Sequence, residues 1–119
     1  MKVYLDTSVI ISLADSLDVF HTQSLTFVNS LAKRDIECKV GSPLLVELGG
    51  IFKVRGAARC FEVTSTLDRF GIELEVIDMK EVWQLSQLYL DEHALTARHR
   101  LDMLHYAAAS LIHCTHLAS

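Results

Sequence analysis

VYLDTSV, residues 3–9, is the stretch of sequence that decides the fold. The residues from Lys2 to Leu5 have the composition of a short buried strand, and this strand ends directly on Asp6. Two hydroxyl residues follow, and the apolar residues between Val9 and Ala14 then predict a short helix. Asp6 at this junction has two candidate roles, the N-cap of the helix or a ligand for a metal ion.

Strand and helix patterns alternate along the rest of the chain. Helices are predicted at residues 18–34, from 42 onward, and at 57–70, 78–90 and 101–113, and strands at 36–40, 72–76 and 115–118. Residues that commonly start or stop helices support these bounds, namely Ser42 with Pro43, Gly71, and Asp78 with Glu81. Such alternation favours an α/β fold with three layers, in which helices cover both faces of a central parallel sheet.

Length and composition fit one small globular domain. The chain has 119 residues, of which 50% are hydrophobic, and its formal net charge is −4. A chain without a basic tail is not expected to bind nucleic acid by charge alone, but an acidic site neutralised by metal is compatible with a nuclease. The cysteines Cys38, Cys60 and Cys114 form no C-x-x-C pair, so free thiols in a reducing, cytoplasmic setting are expected. No signal peptide or membrane-spanning run is visible, and we expect no membrane partner.

Three acidic residues are expected to meet at one edge of this sheet. Asp6 ends the first strand, Glu47 lies early in the helix after the second strand, and Asp102 starts the helix that leads to the fourth strand. Ligands of open parallel sheets bind at the carboxyl ends of the strands, where the connecting helices begin. Carboxylates that converge there repel each other unless they bind a cation, and oxygen ligands suit Mg²⁺ or Mn²⁺. Each residue alone has a simpler explanation, as a helix cap, a solvated helix residue or a favourable charge in a first helical turn.

The three acids fall in segments that resemble motifs of the PIN-domain family, in particular the VapC-type ribonuclease toxins and their archaeal relatives. The segments are VYLDTSVIISL with Asp6, SPLLVEL with Glu47 and RLDMLHYAAASL with Asp102, and the resemblance covers essentially the whole chain. It implies a metal-dependent endoribonuclease that hydrolyses RNA phosphodiester bonds. The three acids would then be catalytic Mg²⁺ or Mn²⁺ ligands, and Ser8 would be a supporting hydroxyl of the catalytic site. The resemblance also implies an antitoxin protein as partner and, as in many relatives, a homodimer.

One motif of the family has no counterpart in this sequence. Members usually carry a fourth acid, or an asparagine, just after the strand that begins here near Thr115, and this motif would start near Ser119. The expectation is therefore a single PIN-like domain over residues 1–119 that is truncated at its C-terminus and lacks the final strand. The alternative function is a non-catalytic PIN-like module that binds RNA or docks a partner, because its acidic site would be incomplete.

Other side chains have candidate roles beside the acids. Thr7, Arg98 and Arg100 are candidate RNA contacts, because a hydroxyl near a helix N-terminus and arginines beside the site can bind phosphate oxygens. For the two arginines, a solvated loop with ordinary charges is an equally good explanation. His105 is expected to pack in its helix rather than to catalyse, and Trp83 is expected in a core or an interface rather than as a platform for base stacking.

Overall fold

Strands and helices alternate in the structure as the sequence predicts. The computed structural model describes residues 1–47 and 57–119, apart from the side chains of residues 57–62. In chain order the elements are β1 (Lys2–Leu5), α1 (Thr7–Ala14), α2 (His21–Lys33), β2 (Glu37–Gly41), α3 (residues 43–47), α4 (Ala57–Arg69), β3 (Glu73–Glu75), α5 (Met79–Glu92), a 3₁₀ turn (Ala97–His99), α6 (Arg100–Leu111) and β4 (His116–Ala118). The predicted continuation of α3 past Glu47 lies outside the described residues.

Local hydrogen bonds explain where the helices begin and end. α2 begins later than predicted because Asp18 Oδ1 accepts a hydrogen bond from the Phe20 backbone N–H at 2.8 Å and forms a turn first. α4 ends before Gly71, which has a φ of 64° and provides the left-handed stop that the sequence predicts. Asp78 caps α5 by accepting a hydrogen bond from the Lys80 backbone N–H at 2.9 Å.

The four strands form one parallel sheet in the order β3-β2-β1-β4. Val3 of β1 lies opposite Cys38 of β2 and His116 of β4, so β1 is central and all strands point the same way. The carboxyl ends of β1 and β4 are joined by one further bond, from the Asp6 backbone N–H to the Ala118 carbonyl at 2.9 Å. This topology sets Asp6 at the edge where ligands of parallel sheets bind.

Helices cover both faces of the sheet, which confirms the predicted three-layer α/β architecture. On one face, side chains of α1, α2 and α4 pack on the strand residues Val3, Leu5 and Val40. On the other face, the small residues of α6 pack on Tyr4, and Val82 of α5 packs against α6 from outside. No described helix is long and apolar enough to cross a membrane.

The contact between β2 and α6 is close because two small residues face each other. A Cβ atom at Gly41 would lie 3.0 Å from Ala108 Cβ, 3.2 Å from Ile77 Cδ1 and 3.4 Å from Tyr4 Cε2. The Ser42 hydroxyl, expected as a helix cap, accepts a hydrogen bond from the Ile77 backbone N–H at 2.7 Å and so joins the ends of β2 and β3. Glycine at position 41 thus allows α6 to approach the sheet and bring its polar residues to the first strand.

Candidate metal centre

Asp6 lies at the junction of β1 and α1 and caps the helix. Its Oδ1 accepts a hydrogen bond from the Thr7 backbone N–H at 2.6 Å, which gives a partner to one of the free N–H groups of the first turn. The side chain keeps 21% of its surface exposed. One carboxylate oxygen is therefore bound to the helix while the group as a whole still reaches solvent.

Glu47 is brought to the same edge by α3, which follows β2. Its Oε1 accepts a hydrogen bond from Thr7 Oγ1 at 3.0 Å and contacts His105 Nε2. One ligand atom from each of Asp6, Glu47 and His105 lies within 4.8 Å of the others. Three separate segments, the β1–α1 junction, α3 and α6, therefore converge on one polar cluster.

His105 connects this cluster to the core. The residue is 2% exposed, its Nδ1 lies 2.6 Å from Tyr4 Oη, and its Nε2 lies 3.1 Å from Thr7 Oγ1. An ionised carboxylate only accepts hydrogen bonds, so the contact with Glu47 requires a proton on His105 Nε2. In the neutral imidazole, Nδ1 then accepts a hydrogen bond from the Tyr4 hydroxyl. Burial raises the pKa of Tyr4, which keeps that hydroxyl protonated.

The two carboxylates of the cluster have opposite pKa shifts. Burial raises the pKa of Asp6, and the charges of Glu47 and Asp102 raise it further, against the opposing effects of His105 and the Thr7 N–H. Burial also acts to raise the pKa of Glu47, but the hydrogen bond and attraction of His105 and the hydrogen bond of Thr7 lower it overall. Glu47 is thus held ionised, whereas Asp6 carries a negative charge that its surroundings disfavour.

This donor set fits a divalent cation. Among the described residues, no lysine or arginine forms an ion pair with Asp6 or Glu47, and the group beside both carboxylates is the ring of His105. Burial is the main cause of the raised pKa of Asp6, and a bound cation would favour the ionised form of both half-buried carboxylates and offset their mutual repulsion. Hard oxygen donors of this kind suit Mg²⁺ or Mn²⁺.

Asp102 lies in the first turn of α6 but remains on the surface. Its side chain is exposed, and it is not part of the cluster formed by Asp6, Glu47 and His105. Its charge nevertheless contributes to the raised pKa of Asp6, so it acts on the site electrostatically. The structure thus brings two of the three predicted acids together and leaves the third nearby at the surface.

The two hydroxyls after Asp6 have different environments. Thr7 is 1% exposed and its hydroxyl donates to Glu47, so it is not available for direct contact with RNA. This corrects the expectation for Thr7, which instead orients a carboxylate inside the site. Ser8 is exposed on the first turn of α1 and lines a surface cleft with Phe20 and Ser119.

The two arginines expected to contact RNA also differ. Arg98 is exposed on the 3₁₀ turn before α6. Arg100 is half-buried, and its guanidinium lies over the ring of Trp83 with Cζ 3.9 Å from the ring centroid. Arg100 is therefore not part of a solvated loop. Trp83 itself is 51% exposed, so of the two expected places, a core or an interface, it does not lie in a core, and the interface stays a prediction.

His105 is the residue of the site that sequence reasoning missed. It was expected to pack in α6, and it is buried, but its ring also contacts Glu47. A signal was present, because His105 follows Asp102 by three positions and such residues lie on the same side of a helix. The side of α6 that carries Asp102, an expected metal ligand, was expected to face the site. A polar ring on that side could therefore have been predicted to face the site as well.

Comparisons with known proteins identify the fold. No protein-family model matches the chain, and a search of curated proteins gives no significant match. Among solved structures, the chain is similar to VapC20 of Mycobacterium tuberculosis, a toxin that cleaves the sarcin-ricin loop. The two chains have 12% sequence identity and a TM-score of 0.70 over 97% of this chain and 86% of the toxin.

A second similar structure is VapBC2 from Rickettsia felis bound to a DNA fragment from its promoter. The identity is 21% and the TM-score 0.63, over 99% of this chain and 87% of the matched chain. At these identities the likeness shows the fold. The chain has the three-layer fold of these VapC structures, which confirms the PIN-like fold that the sequence predicts.

Proposed function

We propose that this protein is a metal-dependent endoribonuclease and the toxin of a toxin–antitoxin pair. The observation that carries the proposal is the convergence of Asp6 and Glu47 with His105 at the carboxyl edge of the sheet. Support comes from the fold, which is that of a toxin that cleaves the sarcin-ricin loop. Asp6 and Glu47, with Asp102 at the surface beside them, would hold Mg²⁺ or Mn²⁺.

The hydrogen bonds of the site decide which carboxylate oxygens remain for the cation. Thr7 and His105 both contact Glu47 Oε1, and the Thr7 N–H binds Asp6 Oδ1. The second oxygen of each carboxylate is then the one available to the cation. Because His105 Nε2 carries a proton, His105 positions Glu47 and is not itself a ligand.

When bound, a divalent cation polarises a water molecule for attack on the phosphodiester and stabilises the charge on the leaving oxygen. The protein's own residues supply the orientation of the carboxylates and the contacts to the substrate. Ser8, exposed at the start of α1, and Arg98, exposed before α6, are the proposed contacts of this chain to the phosphates near the site. No covalent intermediate with the protein is needed.

An antitoxin partner follows from the same reasoning. A toxin must be held inactive, and the acidic cluster would be neutralised by a cationic side chain of a partner protein placed between the carboxylates. The solved VapBC2 structure, in which a protein with this fold is found in a complex, supports this part of the proposal. The proposal also includes that this protein forms a homodimer and that it is located in the cytoplasm.

The test is cleavage of RNA in Mn²⁺ by the wild type and by Asp6→Asn. The expected result is loss of nearly all activity in Asp6→Asn and in Glu47→Gln, and in the wild type after addition of a chelator. Asp78→Asn is the matched control, because Asp78 also caps a helix with its side chain but lies at α5. Asp78→Asn should cleave RNA like the wild type.

Equal cleavage by the wild type and Asp6→Asn would contradict the proposal, because the site would then not be responsible. Calorimetric titration with Mn²⁺ distinguishes the nuclease from the alternative, a non-catalytic module that binds RNA or a partner. That module would bind RNA without binding Mn²⁺. The nuclease would bind Mn²⁺ in the wild type and lose it in Glu47→Gln.

A further inference from the structure

Trp83 on α5 is an exposed aromatic residue held against a cation. It is the single tryptophan of the chain and is 51% exposed. Arg100 lies over one face of its ring, with Cζ 3.9 Å from the ring centroid. Because Arg100 covers one face and half of the residue is exposed, part of the indole away from Arg100 is open to solvent.

Arg100 is fixed in this position by neutral partners. Its Nη1 donates to the hydroxyl of Ser86, a fully buried residue, at 3.1 Å, and its Nη2 donates to Gln87 Oε1 at 2.5 Å. Gln87 is oriented in turn by a hydrogen bond from its Nε2 to Asp91 Oδ1 at 2.9 Å. These hydrogen bonds hold the guanidinium over the indole ring without any ligand.

The charge of Arg100 is not neutralised within the part of the chain that the structure describes. Its described partners are a hydroxyl, an amide oxygen and an aromatic ring, and no described carboxylate forms an ion pair with it. A guanidinium has five N–H donors, so three of them have no partner among the described residues. A half-buried cation with unused donors is suited to an anion such as a phosphate.

Arg100 belongs to the same helix as residues of the proposed catalytic site. Arg100 is the first residue of α6, the helix that carries Asp102 and His105. The Cα atoms of Arg100 and His105 are about 7.5 Å apart along the helix axis, since each residue adds about 1.5 Å. The five-residue separation also turns the two side chains by about 140° around α6, so an RNA strand bound at Trp83 and Arg100 has to curve round this helix to reach the carboxylates.

We propose that Trp83 and Arg100 form a binding site for an unpaired nucleotide of the RNA substrate, with the base stacked on the open face of Trp83 and its phosphate bound by Arg100. The inference rests on the proposed ribonuclease function and adds the substrate class. It selects RNA that is single-stranded or bulged near the cleavage site, because a base within a duplex is already stacked. Aromatic rings and arginine planes are the groups on which proteins stack unpaired RNA bases.

A purely structural role for the pair predicts something different. A contact that only stabilises the packing of α5 on α6 (a clip between the two helices) explains why Arg100 lies on the ring of Trp83. It does not require that the indole is exposed or that Arg100 has unused donors. If the pair is only a clip, its loss lowers stability and leaves the affinity for RNA unchanged. The two roles are thus separable by measuring RNA binding and thermal unfolding on the same variants.

The experiment uses the fluorescence of Trp83, which reports on this site alone because the chain has no other tryptophan. The full-length Asp6→Asn protein, without metal, is titrated with a short unstructured RNA and with the same RNA carrying an abasic ribose at each position in turn. We expect quenching by the intact RNA and clearly weaker quenching when the stacked base is missing. Equal quenching by both RNAs would overturn the stacking proposal, because the site would then bind only the backbone.

Variants provide the second measurement, made by anisotropy of labelled RNA in the same Asp6→Asn background. Trp83→Ala should raise the Kd for RNA about 5- to 150-fold, which corresponds to about 1–3 kcal/mol for one stacked base. Trp83→Phe should retain most of the affinity, and Arg100→Lys should lose part of it because the planar donor set is gone. Tyr106→Ala is the matched control, since Tyr106 is 49% exposed on the same helix pair.

RNA binding by Trp83→Ala equal to that of the parent protein would overturn the proposal, and so would an equal loss in Tyr106→Ala. Unchanged RNA binding with loss of a protein partner would assign the surface to that partner instead, which also overturns it. Failure of the proposed nuclease function has a different signature, namely equal cleavage by the wild type and Asp6→Asn in Mn²⁺. Quenching in the metal-free Asp6→Asn protein does not depend on that result.

Discussion

Two amide substitutions at His105 separate its two ring nitrogens. Asparagine places its amide group near the position of Nδ1, and glutamine places its amide group near that of Nε2. His105→Asn can therefore keep the partner of Tyr4 but loses the donor to Glu47. His105→Gln can keep the donor to Glu47 but leaves the Tyr4 hydroxyl without the partner that lies 2.6 Å away.

The magnitudes follow from what each variant leaves unpaired. In His105→Asn, Glu47 Oε1 loses one of two donors and keeps Thr7 Oγ1 at 3.0 Å, and loss of such an orienting bond typically weakens metal binding about 10- to 100-fold. In His105→Gln, the affinity for Mn²⁺ should stay within about threefold, since the donor is retained. The Tyr4 hydroxyl, however, is left buried without a hydrogen-bond partner, which should lower the free energy of unfolding by about 1–3 kcal/mol.

Two assays on the same proteins check this prediction. Calorimetric titration with Mn²⁺ gives the Kd, and thermal unfolding of the metal-free protein gives the Tm, which should change by roughly 3–6 °C for each kcal/mol in a chain of this length. The two variants are expected to have opposite effects on metal affinity and stability. His105→Asn loses metal affinity more than it loses stability, and His105→Gln does the reverse.

A second substitution tests the cause of the instability. Tyr4→Phe in the His105→Gln background removes the unpaired hydroxyl and should raise the Tm above that of His105→Gln alone, because removing both partners costs less than removing one. Parallel losses of affinity and stability in both amide variants would refute the reasoning. They would show that His105 acts through ring packing rather than through separate hydrogen bonds.

Other substitutions test the site and its support. Asp6→Asn should raise the Tm of the metal-free protein at neutral pH, because burial and neighbouring carboxylates disfavour the negative charge of Asp6 in the folded state. The gain in Tm should disappear below about pH 4, where Asp6 is protonated in the folded and the unfolded state. A gain that persists there would contradict this cause. Gly41→Ala should cost about 1–3 kcal/mol of unfolding free energy in a denaturant titration, because its Cβ would meet Ala108 Cβ at 3.0 Å; an unchanged midpoint would mean that α6 can shift away. Ser119→Asp should strengthen Mn²⁺ binding in calorimetry, because the β1–β4 register sets residue 119 beside Asp6, and an unchanged Kd would contradict that placement.

The sequence was sufficient to predict the sheet and the meeting of Asp6 with Glu47. Both predictions depend on topology, since parallel strands joined by helices place all strand ends and helix starts at one edge. A shift of one or two residues in an element does not change that edge. For the same reason, the later start of α2 and the longer α5 left the position of the site unaffected.

The parts that the sequence could not supply depend on how far each helix is rotated about its axis. The three-residue spacing from Asp102 indicates which side of α6 carries His105, but whether the ring reaches Glu47 depends on the rotation of α6 and on its approach to the sheet at Gly41. The same rotation leaves Asp102 at the surface. The stacking of Arg100 on Trp83 joins residues of two helices, and its detection requires the crossing of α5 and α6.

The capping bond of Asp6 does not by itself explain why position 6 is an aspartate. Serine, threonine and asparagine cap helices about as well as aspartate does, so the helix alone would tolerate any of them. A cation site requires the charge, and among these four residues only aspartate carries it. Replacing Asp6 by any of the other three would therefore keep the first turn of α1 and abolish the negative charge that the proposed chemistry needs.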